Sequence, residues 1–187
     1  MKKILVIGGT GAMGVYLVPE LLSLGYKVDV ISSDLPVSDN PNLTYTKLNA
    51  KDFGTMSELV KTGYDAIIDF MVYPTSAEYE VFLPMYLKNT DHYFYLSSYR
   101  VYADEEHPIK ETSPRLLDVS RDEILLSSGD YCIYKAQGED YLKASSFNNW
   151  TILRPAITYS KRRFQLVTLE MDTVIKRMLE GKTLLLP

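Results

Sequence analysis

The sequence predicts an α/β fold, a parallel sheet covered by helices on both faces. Three observations carry that prediction. Short apolar runs alternate along the chain with stretches of helical length. One run, Ala66-Ile67-Ile68-Asp69-Phe70, is apolar almost throughout, as expected of a strand buried on both faces. The first run, residues 4–7, leads straight into Gly8-Gly9-Thr10-Gly11-Ala12-Met13-Gly14, a glycine turn of the kind that joins strand to helix around a phosphate.

Taken in order, Lys3–Ile7 forms the first strand. Residues 12–24 form a helix, and Pro19 inside it predicts a bend because proline removes a backbone donor. Gly25 ends that helix, and residues 28–31 form the second strand. Leu43–Lys47 is the third strand, residues 56–61 a short helix and residues 66–70 the fourth strand. Residues 77–87 read as a helix despite Pro84, and residues 93–96 as the fifth strand. The polar stretch 104–121 predicts a long surface excursion, a length that is often functional. Residues 131–145 form a helix, residues 151–153 the sixth strand and residues 166–179 a further helix. Residues 183–186 start a seventh strand, and Leu185-Leu186-Pro187 reads as the opening of another element in a longer protein. Right-handed crossovers wind such strands into a Rossmann-like, doubly wound sheet of three layers. The 187 residues suffice for a single domain.

Composition narrows the function. Apolar residues make up 46 % and charged residues 24 %, ordinary for a soluble globular protein. A net charge of −4 argues against a nucleic-acid surface, which needs a basic patch. The lone Cys132 has no internal disulfide partner, which predicts a reducing, cytoplasmic compartment. No stretch approaches transmembrane length, and the apolar run after Met1-Lys2-Lys3 is too short for a signal peptide. His92 and His107 lack metal-ligand spacing, so no metal is expected. Most of the 15 tyrosines are expected to serve as amphipathic packing.

Two constellations bear chemistry. The glycines run Gly8-x-x-Gly11-x-x-Gly14, a spacing different from the ordinary G-x-G-x-x-G fingerprint. A cradle here would seat a dinucleotide pyrophosphate on Gly8, Gly11, Ala12, Met13 and Gly14, at the helix N-terminus; a turn that merely needs positive φ is the alternative. The second constellation is Tyr131 with Lys135, four apart and so on one helical face. An ammonium beside a phenol favours the phenolate and suits Tyr131 to general acid/base work. It is the one Tyr-x-x-x-Lys in the chain, although composition supplies about one such pair by chance. Ser97 and Ser98 close the fifth strand, at the end of the sheet where ligands bind. Ser98 there can hold a substrate oxygen, or simply terminate the strand. Cys132, beside Tyr131, reads as a buried thiol.

In combination and in order, these motifs resemble the extended short-chain dehydrogenase/reductase family, in its nucleotide-sugar epimerase and dehydratase branch. Gly8 to Gly14 matches the cofactor glycine motif, and Asp52-Phe53 the pair that meets the adenine. The segment from Asp65 to Phe70 matches the fourth strand, and Leu96-Ser97-Ser98-Tyr99-Arg100-Val101-Tyr102 the serine motif. His107-Pro108-Ile109-Lys110-Glu111 with Pro114 matches the loop that follows. Tyr131 and Lys135 match the catalytic pair, and Leu153-Arg154-Pro155 with Tyr159 the segment after the sixth strand. The resemblance implies NAD or NADP across the strand ends. It also implies a sugar or nucleotide-sugar substrate, Ser98, Tyr131 and Lys135 as catalytic residues, and Phe70 beside the cofactor. Lys135 would in addition hold the nicotinamide ribose.

Ser32, Ser33 and Asp34 fall where the family grips the adenosine ribose. Asp34 suits NAD and the serine hydroxyls suit NADP; with no Lys or Arg between Val28 and Thr46 to meet a 2′-phosphate, the balance tilts to NAD. The resemblance further implies a homodimer through the helices at 77–87 and 131–145. Three departures stand out. Tyr99-Arg100 replaces the acidic pair of the dehydratases, Met71-Val72-Tyr73 replaces small residues after the fourth strand, and Ser160-Lys161-Arg162-Arg163 follows Tyr159. The basic cluster is read as a solvated approach to the next helix rather than a phosphate site. The competing function is a non-catalytic dinucleotide- or RNA-binding regulator, disfavoured by the acidic charge and by the retained Tyr131 and Lys135.

Overall fold

A computed structural model describes residues 1–73, 75–166 and 169–185. Its centre is a parallel sheet of β1 (Lys3–Ile7), β2 (Lys27–Ser32), β3 (Leu43–Lys47), β4 (Tyr64–Asp69), β5 (Thr90–Leu96) and β6 (Trp150–Leu153), in the order β3-β2-β1-β4-β5-β6. The chain winds outward from β1 to β3, then returns to β4 on the other side of β1. That reversal opens a crevice beyond the carboxyl ends of β1 and β4.

Side-chain alternation explains the three layers. Ile4 and Val6 of β1, Val28 and Val30 of β2 and Ile68 of β4 point to one face, where Val18 and Leu21 of α1 (Gly14–Ser23) cover them. Leu5, Ile7, Ile31 and Ile67 point to the other face. There they meet Met56 and Val60 of α2 (Phe53–Val60), Tyr79, Phe82 and Tyr86 of α3 (Ser76–Lys88), and Leu142 of α6 (Tyr131–Ala144). Each of these fully buried side chains contributes about 1.5–3 kcal/mol. Burial on both faces is why the strands read as unbroken apolar runs.

Helix starts follow their caps. Asp52 accepts the Thr55 N–H at 3.1 Å, so α2 begins at Phe53, three residues before the expected 56. Thr75 caps α3 and Asp130 caps α6 in the same way. Helix α1 starts at Gly14, not at residue 12, because Gly11 turns back to hydrogen-bond Gly8 O at 3.1 Å. Pro19 and Pro84 lie inside α1 and α3 without ending them.

The excursion at 104–121 is not free. Tyr102 bridges to Arg115, and the chain then forms α4 (Leu116–Val119) and α5 (Glu123–Ser127). Toward the end of the chain, a small hairpin of β7 (Gln165–Leu166) and β8 (Leu169–Glu170) delays the last helix to α7 (Met171–Leu179). The seventh strand expected at 183–186 is not formed by residues 183–185, and residue 186 lies outside the described residues. The Thr183 carbonyl is instead taken by the Arg177 guanidinium, at 2.7 and 3.1 Å. Among the described residues no helix is long and apolar enough to cross a membrane.

Candidate active site

The glycine turn is built for close approach. Gly8 has φ 78°, in the left-handed region that favours glycine, and its N–H donates to Ile31 O at 2.8 Å. A Cβ on Gly14 would lie 2.1 Å from Gly9 O, so the first turn of α1 sits directly on the loop. No side chain caps that turn and it carries no acidic residue. The positive dipole end of α1, with no acidic side chain in its first turn and Gly14 packed on Gly9, gives a compact turn whose residues fit a dinucleotide pyrophosphate.

Ser98 and Tyr131 face that turn across the sheet ends. Ser97 and Ser98, adjacent in sequence, have separate tasks. Ser97 turns inward and donates to Glu139 Oε1 at 2.6 Å. Ser98, two residues beyond the end of β5, accepts the Arg100 N–H at 3.2 Å and sits beside the Tyr131 phenol. Asp130, the cap of α6, places Tyr131 at the first position of that helix.

Lys135 lies one turn behind Tyr131 and is 1 % exposed. Its ammonium donates to Leu96 O at 2.7 Å and to Met71 O at 3.5 Å, and stands 5.8 Å from the centre of the Tyr131 ring. Burial pulls its pKa down to about 8, opposed by the charge of Asp69. The Tyr131 phenol is shifted up by burial, and the Ser98 hydroxyl and the charges of Arg100 and Arg163 offset part of that rise. The Lys135 ammonium thus rests on carbonyls close behind the phenol, and Arg100 and Arg163 add further positive charge around it. Arg100 lies with its Cζ 5.6 Å from the Tyr131 ring centre, tied to Asp130 at 3.6 Å.

Behind the site is a buried ionic knot. Glu139, fully buried on α6, receives Arg154 Nε and Nη2 at 2.8 and 2.7 Å, Arg115 Nη1 at 3.1 Å and the Ser97 hydroxyl. These partners hold its carboxyl below the usual range against burial. Arg115 also clamps Asp118 at 2.7 and 2.8 Å, and Arg154 reaches the Glu111 carbonyl at 2.9 Å. The knot joins α6, the excursion and the end of β6 into one rigid support.

A cleft of about 880 Å³ gathers Gly8, Gly11, Ala12, Met13, Phe70, Ser98 and Tyr131, with Arg100, Arg162 and Arg163 also on its wall. The basic cluster thus borders the cleft rather than approaching a helix in solvent; Arg163 there pairs with Glu170 at 2.6 Å. Gly14 underlies the cradle and Lys135 the floor. The other expected cofactor residues lie outside this wall, at the ends of β2 and β3. The Ser32 hydroxyl is already engaged, by the Thr10 hydroxyl and by the Asp34 N–H at 3.1 Å. Ser33 and Asp34 are exposed beside it. Asp52 is committed to its cap, and the exposed Phe53 ring meets Phe82 edge-on at 5.5 Å. The sequence marks Arg100 as a departure and Arg163 as part of a basic cluster without tying either to Tyr131. It gives Asp69 only as part of a strand segment and leaves Glu139 unmentioned, and neither carries a local signal of its partners.

The family model for the NAD dependent epimerase/dehydratase family matches residues 4–187. A comparison with curated protein sequences finds no match. Among solved structures, the Bordetella bronchiseptica enzyme WbmH in complex with NAD+ is similar over 98 % of this chain and 64 % of its own, with 22 % identity and a TM-score of 0.74. WbmG of the same organism, in complex with NAD and UDP, is 17 % identical over 98 % of this chain and 61 % of its own, with a TM-score of 0.70. UDP-glucose 4-epimerase of Thermotoga maritima, with UDP-glucose, is 22 % identical over 96 % of this chain and 64 % of its own, with a TM-score of 0.69. This chain spans somewhat under two thirds of the length of each, and the likeness to them is one of fold.

Proposed function

The chain belongs to the NAD-dependent epimerase/dehydratase family, and from that premise we propose that it acts on the hydroxyl or carbonyl carbon of a nucleotide sugar, with NAD as cofactor. The observation that carries the reading is the cleft itself, which the glycine turn, Ser98 and Tyr131 line together. NAD would rest on Gly8, Gly11, Ala12, Met13 and the first turn of α1, and when bound it supplies the hydride acceptor. The exposed Asp34 offers a carboxylate for ribose hydroxyls, while the Ser32 hydroxyl is already engaged, which favours NAD over NADP.

The chain's own residues handle the proton. Ser98 holds the reacting oxygen beside Tyr131. As phenolate, Tyr131 takes the proton of the substrate hydroxyl while the carbon is oxidised, and returns it to the carbonyl oxygen on reduction. Arg100 and Arg163 favour the phenolate, and Lys135 supplies a buried positive charge one turn behind. Arg100 and Arg162 offer charge-assisted donors to phosphate oxygens of the substrate. WbmG carries UDP and the Thermotoga enzyme UDP-glucose, which supports a uridine nucleotide sugar as the first substrate to try. The adjacent helices α3 and α6 are the face proposed for a homodimer, with Val81 of α3 exposed there.

Tyr131→Phe tests the mechanism. Turnover of UDP-glucose followed by chromatography of the sugar-nucleotide products should fall by about three orders of magnitude, as expected for a lost acid/base group, with NAD affinity unchanged. Turnover within tenfold of the unmodified protein would remove Tyr131 from the chemistry.

A further inference from the structure

Beneath the cleft two charged side chains are buried together. Lys135 is 1 % exposed and Asp69, the last residue of β4, is 2 % exposed. Asp69 Oδ2 accepts from the Tyr93 hydroxyl at 2.8 Å and the Tyr73 hydroxyl at 2.9 Å, and Oδ1 accepts the Met71 N–H at 2.9 Å. Burial raises the Asp69 pKa, and these three donors act against it by favouring the carboxylate. Burial pushes both phenols well above their ordinary pKa, so they stay protonated and able to donate.

The same short segment grips the lysine. The backbone of Met71 gives its N–H to Asp69 on one side and offers its carbonyl to the Lys135 ammonium on the other. The Leu96 carbonyl takes a second ammonium proton, and the rings of Tyr95 and Tyr131 stand 5.0 and 5.8 Å from the nitrogen. Carbonyls and rings orient an ammonium but do not neutralise it, and a buried charge without a counter-charge is strongly disfavoured. Glu139, one turn further along α6, is taken by Ser97, Arg115 and Arg154. The Asp69 carboxylate is the charge that acts on Lys135 against burial.

We infer that Asp69 is the buried counter-charge of Lys135, a positioning residue that keeps the lysine an ammonium and holds the Met71 backbone on which it rests. Burial raises the Asp69 pKa, and the Met71 N–H, the Tyr93 and Tyr73 hydroxyls and the Lys135 charge all act against that rise, so each charge of the pair supports the other. The inference rests on the proposed roles of Tyr131 and Lys135, since it concerns how the second of them is held.

The test reads Lys135 directly. Protein labelled with ¹³C at the lysine ε-carbon is titrated by NMR, with the Lys135 signal identified by its loss in Lys135→Met. The signal should titrate near pH 8 in the unmodified chain. In Asp69→Asn, where charge is lost but shape is kept, its proton affinity should fall at least about tenfold, moving the titration down by a pH unit or more. The alkaline limb of kcat/KM should move down with it, so that activity lost at pH 8 returns on acidification. A merely structural Asp69 would lower activity at every pH and leave the titration where it was, and that result overturns the inference. If Asp69→Asn does not fold, Tyr93→Phe replaces it: losing a donor makes the carboxylate easier to protonate, and the lysine titration must again fall. An unmoved titration there overturns the inference equally. The NMR reading needs no turnover, so the counter-charge stands or falls separately from the activity tested by Tyr131→Phe.

Discussion

Gly14→Ala should separate the cradle from the rest of the fold. The added Cβ would lie 2.1 Å from Gly9 O, 2.4 Å from Gly9 C and 2.5 Å from its Cα, where ordinary contact begins at 3.4 Å. Backbone is on both sides of the clash, so the first turn of α1 must move away from the loop by about 1 Å, at an overpacking penalty of about 1–3 kcal/mol. A hydrogen bond stretched by that much is no longer one. Each lost bond between a backbone N–H and a charged pyrophosphate is worth about 1.5–3 kcal/mol. NAD affinity should therefore fall by about tenfold to a hundredfold for the first bond lost and further for each one after it. Calorimetric titration with NAD measures this, and thermal denaturation without cofactor measures the packing penalty. Gly25→Ala is the control. That glycine has φ 78° and nothing within 4 Å of a Cβ, so it should lose about 1 kcal/mol of stability and no affinity. An NAD affinity within twofold of the unmodified chain in Gly14→Ala, or an equal loss in Gly25→Ala, would refute the cradle.

Arg100→Ala removes a cation that lowers the Tyr131 pKa. The phenol should then titrate higher, and the rising acidic limb of kcat/KM should move to higher pH, while thermal stability changes by less than about 1 kcal/mol because the Asp130 pair is half exposed. Glu139→Gln leaves two buried guanidinium groups short of their shared charge, a loss of about 3–5 kcal/mol in urea unfolding at pH 7. Since the native carboxyl is held below its ordinary value, its contribution is present above that value and lost as pH falls through the depressed one. The gap between variant and parent should close in acid, and limited proteolysis of the variant should cut within residues 104–114.

Six strands and most helices could be read in the sequence because burial on both faces leaves a run that local periodicity detects. Residues 66–70 are the case in point, missing only the start of β4 at Tyr64. The helix boundaries that shifted did so for reasons one or two residues wide: the Asp52 carboxylate opening α2 early, and the Gly8–Gly11 hydrogen bond delaying α1. Glycine, serine and tyrosine of the cleft were legible because each has a local signature at the end of a strand or the start of a helix. Asp69 was not, since a carboxylate closing an apolar run looks like a strand end until Tyr73, Tyr93 and Lys135 are brought around it. Nor was the knot at Glu139, whose partners lie 15, 24 and 42 residues away. Ion pairs at such separations leave no periodicity. The resting position of the Lys135 ammonium, on carbonyls rather than on the phenol, is likewise decided by the cavity it enters and not by its spacing from Tyr131.

The Glu139 knot also sets an order of events during synthesis. Tyr131 and Lys135 leave the ribosome before Arg154, yet the helix that carries them is anchored at its middle by an arginine that arrives fifteen positions after Glu139. A nascent chain ending short of β6 would hold a buried carboxylate with part of its escort missing, and the pull of water on that group would keep the helix from settling. The sixth strand and α6 are therefore secured in the same step, and neither Tyr131 nor Lys135 is held in place until Arg154 has arrived.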